Sequence, residues 1–526
     1  MKEFVSQLNQ TNVTRRQWLA LTGGAIAGSM LPFGAGALAQ GATQAATQGG
    51  VLKVVSPHNP TSMDPMTGRH GNDHILLFPV YETLLNVNLD TLLPEPGLAE
   101  SWEYTDPMTL VLKLRQGIKF HDGTPFDAEA ARFNLERART DKRSRVAIDL
   151  ISVESIEAEG DDQLTIRLSQ PDGVLLAVLS DRAGMMSSPK AIEEMGEGYD
   201  RAAVGTGPWR LTEWRDAERL TYARNPDYWK SGEPYLDGIE VSVIPDSNTG
   251  LRTVIARQNQ FVFQLATQQK PLIERSNLKA ASGPTLATFH FYLNYSKPPF
   301  DKKEVRLALC HAVDRNAFNE LTMNGLGVPT VQTLPQTHWA YNPELEGTYE
   351  YDPDLAIKLL AEAGYPDGVD VEMFIPNTQA FQQKGEVLVE QFKKAKINLI
   401  LRSVPTNELG AKFMGERLGH AALSIYSGRT DPSQFFSIMF DPESFINASR
   451  EWGAPELEQA MAECRSNLDL EARKTAIRNA LKIINENALY VPLVLQVELN
   501  ALAPEVEGYT PNILGKPRFD NVYLAS

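Results

Sequence analysis

Cysteine is nearly absent. Cys310 and Cys464 are the only two in 526 residues, which excludes a disulfide-stapled scaffold. The 153 residues between them do not decide between a bridge and two buried thiols; a chain this long can bury a core without staples, so free thiols are the simpler reading. Positive charge is also short: 50 Lys and Arg stand against 66 Asp and Glu, a net −16, which disfavours nucleic acid and anionic lipid as partners. After the first forty residues no apolar run of about 18 occurs, so nothing else should span a membrane. Gly-x-Gly-x-x-Gly, P-loop and Gly-x-Ser-x-Gly elements are missing. Gly205-Thr206-Gly207 is too short to cradle phosphates and reads as a turn before Pro208. The eight histidines do not cluster. His70 and His74 stand four apart in a polar loop, a spacing that suits a metal only on a helix. His121-Asp122 lacks a nucleophile or second carboxylate nearby and reads as a turn pair. No metal, cofactor or catalytic group is expected.

What is present begins at the N-terminus. Thr14-Arg15-Arg16-Gln17-Trp18-Leu19 precedes an apolar, glycine-spotted run to Leu38, and Ala37-Leu38-Ala39 is a small-x-small cleavage site. Charged, apolar and small-residue regions in that order read as an export signal, and the arginine pair resembles the twin-arginine type. Gly23, Gly24, Gly28, Pro32, Gly34 and Gly36 weaken the alternative of a membrane anchor. The leader carries Lys2, Arg15 and Arg16 against Glu3, a net +2, so a mature chain from Gln40 would stand near −18 in the periplasm. Gln40–Gly50 is Gln/Ala/Thr/Gly-rich and is expected to be a disordered linker over 40–49.

Periodicity predicts alternating strands and helices, hence α/β domains. Strands are expected at Val51–Ser56, within Met108–Phe120 with a bend at Gly117, as a hairpin over 151–168 turning at Gly160-Asp161, and at Ile239–Val243. Further strands are expected at Phe289–Tyr295, Val371–Ile375, Ile397–Val404 and Ala421–Tyr426. Asp127 is positioned to cap a helix carrying Ala131, Leu135 and Ala138. Asp301 with Glu304 resembles a capping box, and Asp352-Pro353 starts a helix that Gly364 ends. Lys384–Lys394 and Glu471–Asn487 are amphipathic.

Five blocks carry a family resemblance. Leu98-Ala99-Glu100-Ser101-Trp102-Glu103 is followed by Leu114-Arg115-Gln116-Gly117-Ile118-Lys119-Phe120-His121-Asp122-Gly123-Thr124-Pro125-Phe126. Gly205-Thr206-Gly207-Pro208-Trp209 precedes Arg224-Asn225-Pro226-Asp227-Tyr228-Trp229. The others are Asn294 to Pro299-Phe300 with Ala312-Val313-Asp314-Arg315, then Asp352–Pro366, and finally Val506-Glu507-Gly508-Tyr509 with Phe519-Asp520-Asn521-Val522. The chain thus resembles the large extracytoplasmic solute-binding proteins of peptide, nickel and opine ABC transporters. It departs from them at Arg257-Gln258-Asn259-Gln260-Phe261, where a Gly-Glu-Val-Asp-like turn is common, and at Tyr426, where the family has Trp.

The resemblance implies a two-lobed periplasmic-binding-protein-like clam-shell with an extra subdomain on lobe I. Mapped here, lobe I is 50–85, 205–286 and 490–526, the subdomain 86–204, and lobe II 287–489. It implies a monomer that captures a small solute and hands it to a membrane permease. The ligand stays open among peptide, opine, metal chelate and oligosaccharide. An exported cofactor-bearing enzyme and a ligand-binding partner of a membrane sensor are the competing readings. By position Asp431 would meet a ligand amine, Arg429 a carboxylate, and Tyr426 would stack on the ligand; Arg69 and His70 would line the cleft. Arg182 with Met185-Met186 could form an adaptable wall or belong to the core.

Overall fold

The computed structural model describes residues 47–68 and 73–525. The leader, Arg69 and His70 lie outside them.

Ten strands lie side by side in one mixed sheet. Their order is Ile397–Val404, Val369–Pro376, Ala421–Tyr426, Lys279–Leu293, Tyr490–Leu502, Phe261–Val262, Val51–Ser56, Gly238–Val243, Arg219–Arg224 and Trp209–Arg215. An eleventh, Val328–Pro329, pairs beside Tyr490–Leu502. The two long central strands organise the rest. Lys279–Leu293 and Tyr490–Leu502 run antiparallel, but their register shifts between Pro284 and Thr288. On one side of the shift, Lys279–Pro284 face Leu502–Val497, and the sheet continues through Phe261–Val262 to Val51–Ser56. On the other, Thr288 faces Leu495, and the sheet continues through Ala421–Tyr426. One sheet therefore serves two bodies that meet at an irregularity, where a ladder is bent most cheaply. The near-continuous Val/Leu run of Tyr490–Leu502 is buried almost throughout, as a strand covered on both faces requires.

Buried apolar side chains gather into separate cores along the same division. One runs from Phe289 to Val494. A second joins Leu52, Trp209, Tyr222, Phe261 and Phe519. A third, from Met66 to Met186, belongs to a separate four-stranded sheet of Ala99–Asp106, Thr109–Leu114, Gln163–Leu168 and Val153–Glu159. Helix Ala128–Thr140 covers that sheet with Ala131, Leu135 and Ala138 inward, and Asp127 accepts from the Ala130 N–H at 2.9 Å. Gly117 and Gly160 supply the positive φ of the bend and the turn.

Helix Pro353–Glu362 starts behind an Asp352 cap and ends before Gly364 at φ +88. The expected Asp301 cap does not form. Residues 297–302 make consecutive turns, with Asp301 N–H donating to the Lys297 carbonyl, so the helix begins later at Lys303 without a side-chain cap. The linker expectation also needs correction at its end. Gln48, Gly49 and Gly50 hydrogen-bond to Gly232, Tyr235 and Asp237, continuing the edge on which Val51–Ser56 pairs. Both cysteines are buried and free, and burial pushes each thiol up to about 12. Among the described residues no helix is long and apolar enough to cross a membrane.

The turn at 205–207 is structural. A Cβ on Gly205 would lie 2.2 Å from the Val80 carbonyl oxygen, and on Gly207 2.6 Å from it, so only glycine permits this approach. His121 braces the turn: its ring accepts from the Gly205 N–H at 3.4 Å through Nδ1 and meets the Gly207 carbonyl at 2.9 Å through Nε2.

Candidate functional site

A cavity of about 500 Å³ opens where three segments converge. Gly68 and His74 reach it from the body built on Val51–Ser56, residues 145–183 from the four-stranded module, and Arg429 and Gln434 from the body beyond the sheet irregularity.

The placement of Arg429 follows from the backbone before it. Strand Ala421–Tyr426 pairs Tyr426 with Thr288, directly after the register shift. Gly428 then turns at φ +65 against the long strand; a Cβ there would lie 2.4 Å from both the Cβ and the carbonyl oxygen of Leu286. The next residue, Arg429, is thereby aimed across the cavity at Asp181, 3.7 Å from Nη1 to Oδ2. Tyr426 sits behind it, its ring 5.2 Å from Phe435, in a recess that Arg429 also lines. Burial raises the pKa of the Tyr426 hydroxyl, which lies beside the guanidinium without a hydrogen bond of ordinary geometry.

Asp431 does not line the cavity. It caps helix Pro432–Phe440 through the Ser433 N–H at 2.9 Å, and its other oxygen accepts from Arg473 Nη2 at 2.7 Å. At 3% exposure the carboxylate is engaged inside its own body, so the sequence expectation of an amine contact finds no free oxygen there. Sequence position alone does not reveal this, because Arg473 comes from a helix forty-two residues on.

The opposite wall is polar. Asp181 meets His74 Nδ1 at 3.0 Å and Lys516 Nζ at 3.9 Å. Burial alone would raise the Asp181 carboxyl; Lys516, His74 and Arg429 outweigh it and hold the group well below the ordinary range. Burial, with Lys516 alongside, pushes His74 down to about 4, so the ring is neutral near pH 7. Its Nδ1 serves one neighbour at a time: bare, it accepts from Lys516 at 2.6 Å; protonated, it donates to Asp181. Burial pushes Lys516 down to about 8, which leaves it charged at neutral pH. Arg182 donates to the carbonyls of Pro65 and Gly68, each at 2.7 Å, and pins the loop before residue 69. Met185 and Met186, beside it in sequence, are fully buried core. Asp149 and Arg145 complete the wall. Burial raises the Asp149 carboxyl, with Arg429, Arg182 and Arg465 acting against it. Sequence reading missed Asp149, Arg145, Asp181 and Lys516. Nothing local marks them, and Lys516 lies 442 residues from His74. His74 is held by an anion and an ammonium, and among the described residues no group of three or more His, Cys, Asp or Glu could hold a metal ion.

A second contact crosses beside the cavity. Asp172, fully buried, accepts from Arg465 Nη2 at 2.7 Å, and the next N–H, of Gly173, donates to the Arg465 carbonyl at 2.8 Å. The four-stranded module and the body of Phe289–Val494 thus touch backbone to backbone.

Comparison with known proteins completes the picture. Residues 94–447 match the family model for bacterial extracellular solute-binding proteins, family 5 middle. Glutathione-binding protein GsiB of Escherichia coli (strain K12) is 27% identical over 467 residues, covering 86% of this chain and 90% of that protein. The periplasmic binding protein DppA of Helicobacter pylori, solved with peptide STSA, superposes with a TM-score of 0.77 at 25% identity over 91% of this chain and 99% of that one. CtaP of Listeria monocytogenes, an ABC transporter substrate-binding protein, gives 0.83 at 20% identity over 91% and 100%. These relatives bind solutes for transport, on a two-lobed α/β fold that this chain shares, and by sequence and fold together the chain belongs to the family 5 bacterial extracellular solute-binding proteins, the substrate-capturing components of ABC importers.

Proposed function

We propose that this protein works in the periplasm as a monomer, closing its two lobes over a small peptide-like solute in the 500 Å³ cavity and passing it to a membrane permease. One observation supports this most directly: the cavity walls come from both sides of the sheet irregularity, so a solute touching both walls favours the closed state. The volume falls within the roughly 300–1,000 Å³ of small-molecule sites. The peptide bound to the Helicobacter relative and the glutathione named for the Escherichia relatives favour a peptide-like solute here.

In this reading lobe I is about 50–85, 205–286 and 490–526, the extra subdomain about 86–204, and lobe II about 287–489. Lobe II presents Arg429 with Tyr426 behind it, and Arg145 and Asp149 face them. Asp431 supports the second lobe and makes no ligand contact. The leader ending at Ala39, with its arginine pair, directs export by the twin-arginine route.

Mass spectrometry of material released from denatured, periplasm-purified protein tests the reading. A small peptide-like molecule is expected, and its return to emptied protein should make the particle more compact in scattering. Protein that carries no such solute and neither binds peptides nor compacts would overturn it.

A further inference from the structure

We infer that the tip of the hairpin leading into the four-stranded sheet is an interlobe clasp, in which Leu92 joins a small apolar cluster that the second body completes with Trp339 when the lobes close. This rests on the lobe closure proposed above, and on no assignment of the solute.

Strands Leu85–Val87 and Pro94–Pro96 pair antiparallel, with Val87 opposite Pro94, and run on into Ala99–Asp106. Asn88 folds the loop between them. Its side-chain oxygen accepts from the Asp90 and Thr91 N–H groups at 3.0 and 2.9 Å. Its backbone N–H donates to the Leu93 carbonyl at 2.9 Å, and its carbonyl accepts from the Leu92 N–H at 2.7 Å. The turn closes with Leu92 at φ +59. That left-handed conformation is ordinary for Gly or Asn, but in Leu the Cβ crowds the following carbonyl. Strained residues of this kind persist only where their surroundings fix them, and they gather at clamps and switches. Here the side chain supplies the reason. Asp90 and Thr91 are exposed, whereas Leu92 is buried at 3% exposure. It packs with Leu286 and Ile513 in a cluster separate from the cores described above, and Val87, Leu514 and Trp339 close around it, half-buried.

The cluster draws on three parts of the molecule. Val87 and Leu92 belong to the hairpin. Leu286 lies within the irregularity of the long strands, and its N–H is held by the Ile513 carbonyl at 2.9 Å. Trp339 comes from the second body, since it also packs against the core that runs from Phe289 to Val494. The Arg473 guanidinium, 5.7 Å from the indole centroid, braces it from that side. Opening about the irregularity would draw Trp339 off the cluster and return apolar surface to water. Burial of that surface therefore favours the closed arrangement. The strain at Leu92 then serves a contact between bodies, and the clasp adds to closure without touching the solute.

Pulsed electron resonance between nitroxides on Ala223→Cys and Lys393→Cys, exposed positions on the first and second body, reads the lobe separation; both native thiols are buried. The mature chain is measured empty and with the material released from denatured wild-type protein. Wild type should show a short and a long separation, the short one gaining when that material is added. Leu92→Ser should move the balance toward the long separation and weaken binding of the released material roughly threefold to tenfold. Leu92→Met should restore both. Leu92→Gly, which relieves the backbone, should melt no lower than Leu92→Ala and yet open as Leu92→Ser does. Separations unchanged in Leu92→Ser and Leu92→Gly overturn the clasp, whatever the melting temperatures do, and leave the transport reading intact. Leu92→Gly melting well below Leu92→Ala overturns it as well, because the backbone would then carry no strain. A wild type that keeps one separation in both conditions removes lobe closure itself, and this inference with it.

Discussion

Gly173→Ala should weaken ligand binding without touching the ligand. Gly173 does not have a positive φ, so alanine suits its own backbone. The obstacle is on the other body. An added Cβ would lie 2.3 Å from the Asn467 carbonyl oxygen and 2.8 Å from both Cδ and Nε of Arg473. To restore ordinary contact the loop must retreat by roughly 1 Å. That movement stretches the 2.8 Å Gly173–Arg465 backbone hydrogen bond and the 2.7 Å Asp172–Arg465 ion pair past useful length. Overpacking of this kind costs about 1–3 kcal/mol, and the penalty applies only when the two bodies meet. A central value near 2 kcal/mol raises the apparent dissociation constant about thirtyfold. Titration of glutathione or the native solute into wild type and variant measures it, with thermal melting of both empty proteins as the control. An affinity within twofold of wild type would refute the idea that this contact belongs to the closed state. So would an equal loss of melting temperature in the empty protein, since the contact would then be part of the resting fold.

Asp431→Asn should destabilise the fold by about 3–5 kcal/mol, because it leaves the buried Arg473 guanidinium without its anion; glutathione affinity should change less than threefold, and the reverse pattern by melting and titration would return Asp431 to the ligand site. Glu498, buried on the long strand Tyr490–Leu502 beside Asn500 and Tyr509, is raised by burial from 4.5 to about 7. Its neutral form suits the fold, so its contribution is complete below pH 4.5 and fades as pH rises through 7. Glu498→Gln should therefore stabilise the protein near pH 8.5, by up to about 3 kcal/mol, and do little near pH 4.5; urea melts at both values that show no such difference count against it. Replacing Arg15 and Arg16 by Lys should leave uncleaved precursor in the cytoplasm, visible by fractionation and blotting; normal export would remove the twin-arginine route though not export itself.

Much of the fold is legible in the sequence because it is written in local terms. Asp127, Asp352 and Gly364 act within one helical turn, and the structure places each where capping chemistry demands. Strand Ala421–Tyr426 is an apolar run bounded by turns, and it appears with those limits. The failure at Asp301 is also local: a Pro-Pro turn before it delays the helix, and counting three residues to Glu304 cannot detect that. The site is different. Arg429 was readable as a loop cation, but its facing wall is assembled from positions 74, 145–182 and 516, which only the tertiary fold brings together. Asp431 misled because a carboxylate before a proline reads alike whether it greets a ligand or caps a helix.

The irregularity in the sheet is tied by the backbone to both charged walls of the cavity. Leu286 lies inside the register shift; its N–H is held by the Ile513 carbonyl, three residues before Lys516, and Gly428 presses on its other side. The first link runs to the ammonium behind Asp181, the second to the guanidinium in front of it. One residue of the sheet irregularity is thus in contact with the segments that carry both cations. Should the lobes open at this irregularity, both cations would move with it, and the proposed solute would lose its charged partners by the same movement.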